Sequence, residues 1–229
     1  MNSISIIIPV YNEAETISKL LWHLKTQSTT NIIDEIIVVD GGSTDKTKQI
    51  SSQENVRVLS SEKGRAKQMN FGAKHAKGSI LYFLHVDSFP PNAYDRLIFQ
   101  EVENGNLAGC FKMKFDASHF WLKLAGWLTQ FNWKACRGGD QSLFVTKTLF
   151  NTINGFNEEF TIYEDFDFIN KLYAKKQFVI IQQWITTSAR RYQTNGIWKL
   201  QYHFWMIYIK RWLGASAEEL YTYYKKHIE

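Results

Sequence analysis

The chain has 229 residues, 45% of them hydrophobic and only three of them proline, which excludes a disordered or low-complexity chain and leaves room for a sizeable core. Lys and Arg number 27 against 22 Asp and Glu, a formal charge of +5 that suits an anionic small ligand, an anionic lipid surface or nucleic acid. Nucleic acid is set aside as a partner, because the positive charges are scattered and no basic helix or zinc-finger spacing occurs. No apolar run approaches the roughly 20 residues that cross a bilayer. The first residues enter a strand pattern without a basic leader, so a cytoplasmic location is expected. Cys110 and Cys136 lack a CxxC spacing and lie in apolar surroundings, which favours reduced, buried thiols over a disulfide or a metal site.

Residues 4–8 form an apolar run that reads as a strand buried on both faces, with Pro9 expected to mark its end. Tyr11, Asn12 and Glu13 then fall at the turn before a helical pattern of Ile17, Leu20, Leu21 and Leu24. A second strand (35–40) is followed by Gly41-Gly42-Ser43-Thr44-Asp45 and a helix through Ile50. A third (56–59) precedes a helix over 66–75, and a fourth (80–84) ends in His85-Val86-Asp87. Strands alternating with helices at this spacing predict βαβ units, hence an α/β fold with a Rossmann-like, mostly parallel sheet flanked by helices.

After Pro90-Pro91 the pattern predicts a helix over 94–102 and a strand over 107–115. Residues 119–133 have helical spacing and many aromatics, which fits a helix over the substrate face or one packed on the core. Gly138-Gly139-Asp140 leads into a strand at 143–145 and a helix. Tyr163-Glu164-Asp165 opens another helix over 166–173. With no repeat or linker, the simplest organisation is one domain over 1–190 and an aromatic C-terminal helical extension over 191–229. At about 100° per residue, 197–213 puts Lys199, His203 and Lys210 on one stripe. Trp198, Phe204, Trp205, Ile207, Tyr208, Ile209 and Trp212 cover most of the remainder. Such a helix is packed on the domain or a dimer mate, or lodged in a membrane interface.

Three strand ends thus present Glu13, Asp40 and Asp87 to one sheet edge, where open α/β sheets bind ligands. Convergent acids at such an edge hold a cation or hydroxyl groups. Singly, Glu13 and Asp45 could serve only helix N-termini, and Ser43 or Thr44 could be an N-cap. No GxGxxG follows residues 4–8, which counts against a dinucleotide oxidoreductase. The turn there is acidic, which counts against a sugar nucleotidyltransferase.

In this order, Pro9-Val10-Tyr11-Asn12-Glu13, Asp40 to Asp45, His85-Val86-Asp87 and Glu164-Asp165 resemble the family 2 inverting glycosyltransferases of the GT-A fold over roughly residues 4–190. Gly64 to Asn70, Gly139-Asp140-Gln141 and Ala189 to Tyr192 look like a small bacterial subgroup of unassigned substrate. The resemblance implies sugar transfer with inversion from a nucleoside diphosphate sugar, of UDP or GDP type, to an acceptor hydroxyl. Pro9, Tyr11, Glu13, Asp40, Gly42, Gln68, His85 and Val86 would form the nucleotide-sugar pocket, with Arg65 and Arg191 on the phosphates. Asp87 and His85 would hold Mg²⁺ or Mn²⁺, a hard cation that bridges phosphate oxygens. His85 is a departure, standing where the family has a carboxylate. Imidazole suits Mn²⁺ better than Mg²⁺, and His85 could equally be a core residue.

Asp165 is the expected general base, Glu164 its helper and Asp140 the alternative base, since Gly138-Gly139 would let backbone approach a ligand. The acceptor is open. It becomes lipid-linked if the C-terminal helix lies on the inner face of the cell membrane. The competing reading is a non-catalytic nucleotide-sugar binding or membrane-associated protein.

Overall fold

The computed structural model describes residues 2–228. Its first half alternates β1 (Ile4–Val10), α1 (Ile17–Gln27), β2 (Ile33–Asp40), α2 (Thr47–Gln53), β3 (Arg57–Ser60), α3 (Arg65–His75) and β4 (Ile80–Phe83). Then come β5 (Ser88–Phe89), α4 (Tyr94–Glu103), β6 (Ala108–Phe115), α5 (Phe120–Leu128), β7 (Leu143–Thr146), α6 (Lys147–Thr152) and α7 (Glu164–Ala174). The chain closes with β8 (Phe178–Thr187), α8 (Arg190–Asn195), α9 (Ile197–Trp212) and α10 (Ala217–His227).

The eight strands form one sheet in the order β3-β2-β1-β4-β7-β6-β8-β5. The α/β expectation holds, and β3, β2, β1 and β4 are mutually parallel. Beyond them the sheet is mixed, because β7 runs antiparallel to both β4 and β6 while β6 and β8 are parallel. The apolar run of β1 is explained by burial on both faces. Ile6, Ile8 and Val10 face α1 and α4, and Ile7 faces α3 and the Phe150, Phe156 and Phe168 rings.

Pro9 does not end β1, which continues to Val10 and pairs Pro9 with Val39. The reason is one of register. β4 pairs only as far as Ile7↔Phe83, and the Ile7 carbonyl takes the last bond on that side from the Leu84 N–H. Pro9 points the same way as Ile7, so its missing N–H falls where no partner strand remains.

Two further boundaries differ from the sequence pattern. α5 stops at Leu128 rather than running to 133, because the Thr129 hydroxyl donates to the Gly126 carbonyl at 2.6 Å and accepts from the Met113 N–H at 2.8 Å. That couples the end of the helix to β6. β8 was not expected at all. Its register on β6 jumps from Phe111↔Ile181 to Lys112↔Trp184, so Gln182 and Gln183 bulge and split its apolar pattern into two short pieces.

A third apolar cluster joins the C-terminal helices to the body, with Leu200, Ile207 and Leu220 buried against Phe160. Cys110 and Cys136 are both free, the first buried.

Candidate active site

The carboxyl ends of β1, β2, β4 and β8 and the start of β7 meet at one edge of the sheet. On one side of that edge two turns are laced together. Asn12 sits in the left-handed region at φ 54°, where Asn is tolerated better than most residues. Its Oδ1 accepts from the Thr44 N–H at 2.8 Å and its own N–H donates to Ser43 Oγ at 2.9 Å. The Glu13 N–H donates to Thr47 Oγ1 at 2.7 Å and the Ala14 N–H to Asp45 Oδ2 at 3.2 Å. Asn12, Ser43, Thr44 and Asp45 are therefore scaffold.

The buried Asp40 accepts from the Ser43 N–H at 3.2 Å and from the Ser43 hydroxyl. Gln68, expected in the pocket, is a buried brace. Its amide donates to the carbonyls of Val10 at 2.9 Å and Val39 at 2.7 Å, tying the ends of β1 and β2 together beneath the Asp40 turn. Gly42 has φ +86°, a value that favours glycine, and faces open space. Tyr11 is half-exposed with the Lys63 ammonium 3.7 Å from its ring centroid. The side chain of Val86 lies in the core with Ile8 and Val10, and Pro9 is buried in the strand ladder, so both offer the edge backbone atoms alone.

The opposite side of the edge is built from ions. His85 is not a core residue. Its Nδ1 lies 3.3 Å from Asp140 Oδ1 and its Nε2 3.5 Å from Asp165 Oδ2, so the ring bridges two carboxylates. Burial and the Arg65 charge oppose protonation, yet the two carboxylates outweigh them and push His85 up to about 10. The imidazolium then donates from Nδ1 to Asp140 and sets its charge against Asp165 through Nε2. Burial alone would raise Asp140, but the His85 bond and charge, with Arg65 and Arg191, hold it below the usual carboxylate range.

Gly139 makes this bridge possible: a Cβ there would stand 1.9 Å from Asp165 Oδ2 and 2.6 Å from His85 Cε1. At Gly139 the close approach is to these two side chains, whereas a Cβ at Gly138 would meet nothing within 4 Å. The turn is held from below by buried Arg137, which donates to the carbonyls of Thr129 at 2.6 Å and Phe131 at 2.8 Å and to Gln141 Oε1 at 2.7 Å. Nothing in the sequence pattern pointed to Arg137, because a brace of this kind has no spacing of its own.

Glu164 is buried, with Oε1 3.6 Å from Arg65 Nη1. Burial and the neighbouring Asp165 charge raise it to about 7, with Arg65 pulling the other way. Burial lowers the affinity of Arg65 for its proton, but Glu164, Asp165, Asp140 and Asp87 together raise it above the ordinary value. Arg190 reaches across to Glu13, Nη2 to Oε1 3.2 Å, and is committed there. Glu13 is nevertheless raised, since its burial exceeds the effect of Arg190. Arg191 donates to the Tyr224 hydroxyl, and burial and the Arg65 charge lower it. The Asp87 carbonyl accepts from the Ser188 N–H at 3.1 Å, which pins the loop after β4 to the end of β8.

The pair expected to bind a metal does not fit that role as a pair. Both ring nitrogens of His85 face carboxylates, which leaves no lone pair for an ion. Among the described residues no three His, Cys, Asp or Glu side chains are grouped to hold one. Asp87 remains as a lone carboxylate.

The model of "Glycosyl transferase family 2" matches residues 5–176. The chain is 39% identical over 94 residues to the glycosyltransferase AglE of Haloferax volcanii, covering 38% of this chain and 31% of that protein. It is 32% identical over 110 residues to a dolichol-phosphate mannosyltransferase of Pyrococcus furiosus, covering 45% of this chain and 31% of the relative. The chain thus spans about a third of the length of these relatives. Among solved structures, TarS 1–349 of S. aureus superposes with a TM-score of 0.68 at 21% identity, over 82% of this chain and 61% of that one. The same protein in complex with UDP gives 0.66 at 20%, over 82% and 60%. This likeness shows the fold, a GT-A arrangement.

Proposed function

The chain belongs to glycosyl transferase family 2, and from that premise we propose that it moves a sugar from a nucleoside diphosphate sugar, of UDP or GDP type, to an acceptor hydroxyl with inversion. The observation that carries the reading is the meeting of Asp165, Asp140 and Glu164 with Arg65, His85 and Arg191 at the edge that also holds Glu13, Asp40 and Asp87. The solved relative in complex with UDP supports the choice of donor.

Inversion needs a single in-line displacement, and one base opposite the leaving group suffices. Asp165 takes that role. The imidazolium of His85 faces one of its oxygens and orients the carboxyl, as a neighbour fixed by hydrogen bonding does in general acid–base sites. Glu164, held beside it and raised to about 7, modulates the charge on that base. Asp140 is occupied by His85 and becomes part of the support. Asp40 and Glu13 offer carboxylate oxygens to ribose hydroxyls or the base, with Tyr11 and Gly42 on the rim. Arg65 and Arg191 supply positive charge where the diphosphate departs, work for which guanidinium is well suited. Mg²⁺ or Mn²⁺, the cation expected from the resemblance, finds Asp87 as its one side chain here, and would supply Lewis-acid neutralisation of the leaving diphosphate.

We read residues 1–190 as the transferase domain and 191–229 as an extension packed on it through the Phe160 cluster. A lipid-linked acceptor is the reading that the dolichol-phosphate relative favours, with the extension toward the inner face of a membrane. No helix among the described residues is long and apolar enough to cross one.

The test is a screen of UDP, GDP, TDP and CMP sugars, with and without Mn²⁺. Thermal shift reports binding, since a ligand that binds only the folded state raises the melting point, and nucleotide release reports turnover. A binding module would show the shift and no release.

A further inference from the structure

α9 has two unlike faces. Leu200 and Ile207 are buried against the body. On the far side Trp198, Tyr202, Trp205, Ile209 and Trp212 recur at alternating steps of four and three, and fall within a band of roughly 80° at 3.6 residues per turn. They are 60, 54, 46, 46 and 85% exposed, and Leu213 just beyond them is 72% exposed. The solvent face of a helix packed on a globular domain is ordinarily polar. This band contains none of the charged residues of α9.

The band continues onto a second element. Trp121 of α5 lies 5.4 Å from Trp198 and 5.8 Å from Trp205, ring centre to ring centre. The outer residues of α5, Phe120 and Trp127, are 75 and 50% exposed. Charge follows the same partition. No Asp or Glu occurs between Asp167 and Glu218, or between Asp116 and Asp140, whereas those spans carry the exposed Lys123, Lys134 and Lys199; Lys210 and Arg211 turn instead to the Tyr223 and Phe160 rings.

We propose that α5 and α9 together form a docking face for an anionic phospholipid bilayer, with the indole rings at headgroup depth and the lysines against lipid phosphate. Trp and Tyr with Lys and Arg on one surface helix is the composition that lies in a membrane interface. A second copy of the chain is the poorer occupant. A two-fold contact sets a face against itself, and here it would bring Lys123 and Lys199 together with no acid on α5 or α9 to pair them.

The face is also joined to the candidate base. Tyr208, on the flank of α9, packs on Tyr163 at 5.6 Å and on Phe166 at 5.0 Å, the residues that bracket Glu164 and Asp165. A docked α9 therefore holds Asp165 close to the headgroup plane, where a lipid-linked hydroxyl would present itself. This last consequence, and only this one, rests on the transferase reading.

The test is co-sedimentation of the full chain with vesicles of phosphatidylcholine alone and of phosphatidylcholine mixed equally with phosphatidylglycerol, containing neither sugar donor nor acceptor. Binding to the anionic vesicles is expected to exceed that to the neutral ones by about tenfold or more and to weaken at high salt. Trp198→Ser with Trp212→Ser should cut it by about tenfold, while the helix content seen by circular dichroism stays the same. Lys123→Glu with Lys199→Glu, which removes no apolar packing, should do likewise. Equal binding to both vesicle types, or none, overturns the proposal. So does light scattering that finds a dimer dispersed by the tryptophan substitutions. Because no substrate is present, failure here leaves the transferase reading standing, and failed turnover leaves this one standing.

Discussion

The two sides of the ligand edge are held together by different forces. Around Asn12 and Ser43 the turns are closed mainly by hydrogen bonds to backbone groups, supported by Gln68 below. Around His85 the partners are ions: an imidazolium between two carboxylates, with Arg65 beside Glu164. The first side is a scaffold that stands without a ligand. The second is a balance of charges around buried His85 and Glu164, in which removal of one partner leaves another uncompensated. Substitutions on the scaffold side should accordingly act on affinity, and those on the ionic side on turnover.

The sharpest way to break that contrast is Asp165→Asn. The amide keeps the shape and can still meet His85, but it cannot accept a proton. Turnover is expected to fall by about 10²- to 10⁴-fold, the usual contribution of a general base, while calorimetric affinity for the nucleotide is unchanged. A variant as fast as the parent would remove Asp165 from the chemistry.

Gly139→Ala comes next. The added methyl would stand 1.9 Å from Asp165 Oδ2 and 2.6 Å from His85 Cε1, so the bridge must shift. A displacement of about 1 Å costs on the order of 10²-fold in rate. The expected result is a lower kcat with little change in KM. A rise confined to KM, with kcat intact, would show that the bridge does not position the base.

On the scaffold side, Asp40→Ala should weaken nucleotide binding by about 1–3 kcal/mol, the cost of leaving buried donors unpaired. The turnover of bound substrate should change much less. Asp40 is buried and closes its own turn through Ser43, so part of the loss is loop order. Titration calorimetry against UDP decides, and unchanged affinity would take Asp40 out of the pocket.

The scaffold side was also the more legible one. β1, β2 and β4 are continuous apolar runs ending in polar turns, and a parallel sheet brings such ends to one edge whatever lies between them. Glu13 and Asp40 are legible at that edge from the pattern alone, and so is the position of the His85 segment after β4. The ionic side depends on what residues far apart in sequence do to each other. Arg190 finds Glu13 across 177 positions, and the His85 bridge needs Gly139, Asp140 and Asp165 from separate loops. No spacing encodes such meetings. β8 escaped for a local reason: the bulge at Gln182 and Gln183 breaks the period that reveals a strand. α9 was readable as apolar around most of its circumference, but which face the body would cover was not.

The smallest expected effect separates the two sides by pH. Glu164 is raised from 4.5 to about 7 by burial and by Asp165. Between those values the folded chain holds a proton that the unfolded chain has released, so stability rises on acidification. The contribution is complete below pH 4.5 and disappears as the pH climbs through about 7. Glu164→Gln, which is neutral throughout, should flatten the dependence of melting temperature on pH across that window. The difference is on the order of 1 kcal/mol, or about 2–4 °C for a chain of this size. Nothing comparable is expected from Ser43, whose hydroxyl does not titrate. Ser43→Ala should therefore lower the melting temperature by a similar amount throughout that window, giving a curve parallel to that of the parent there. If Glu164→Gln also ran parallel to the parent, Glu164 would be ionised in the fold like an ordinary surface acid, and the ionic side would lose the buried charge balance that sets it apart.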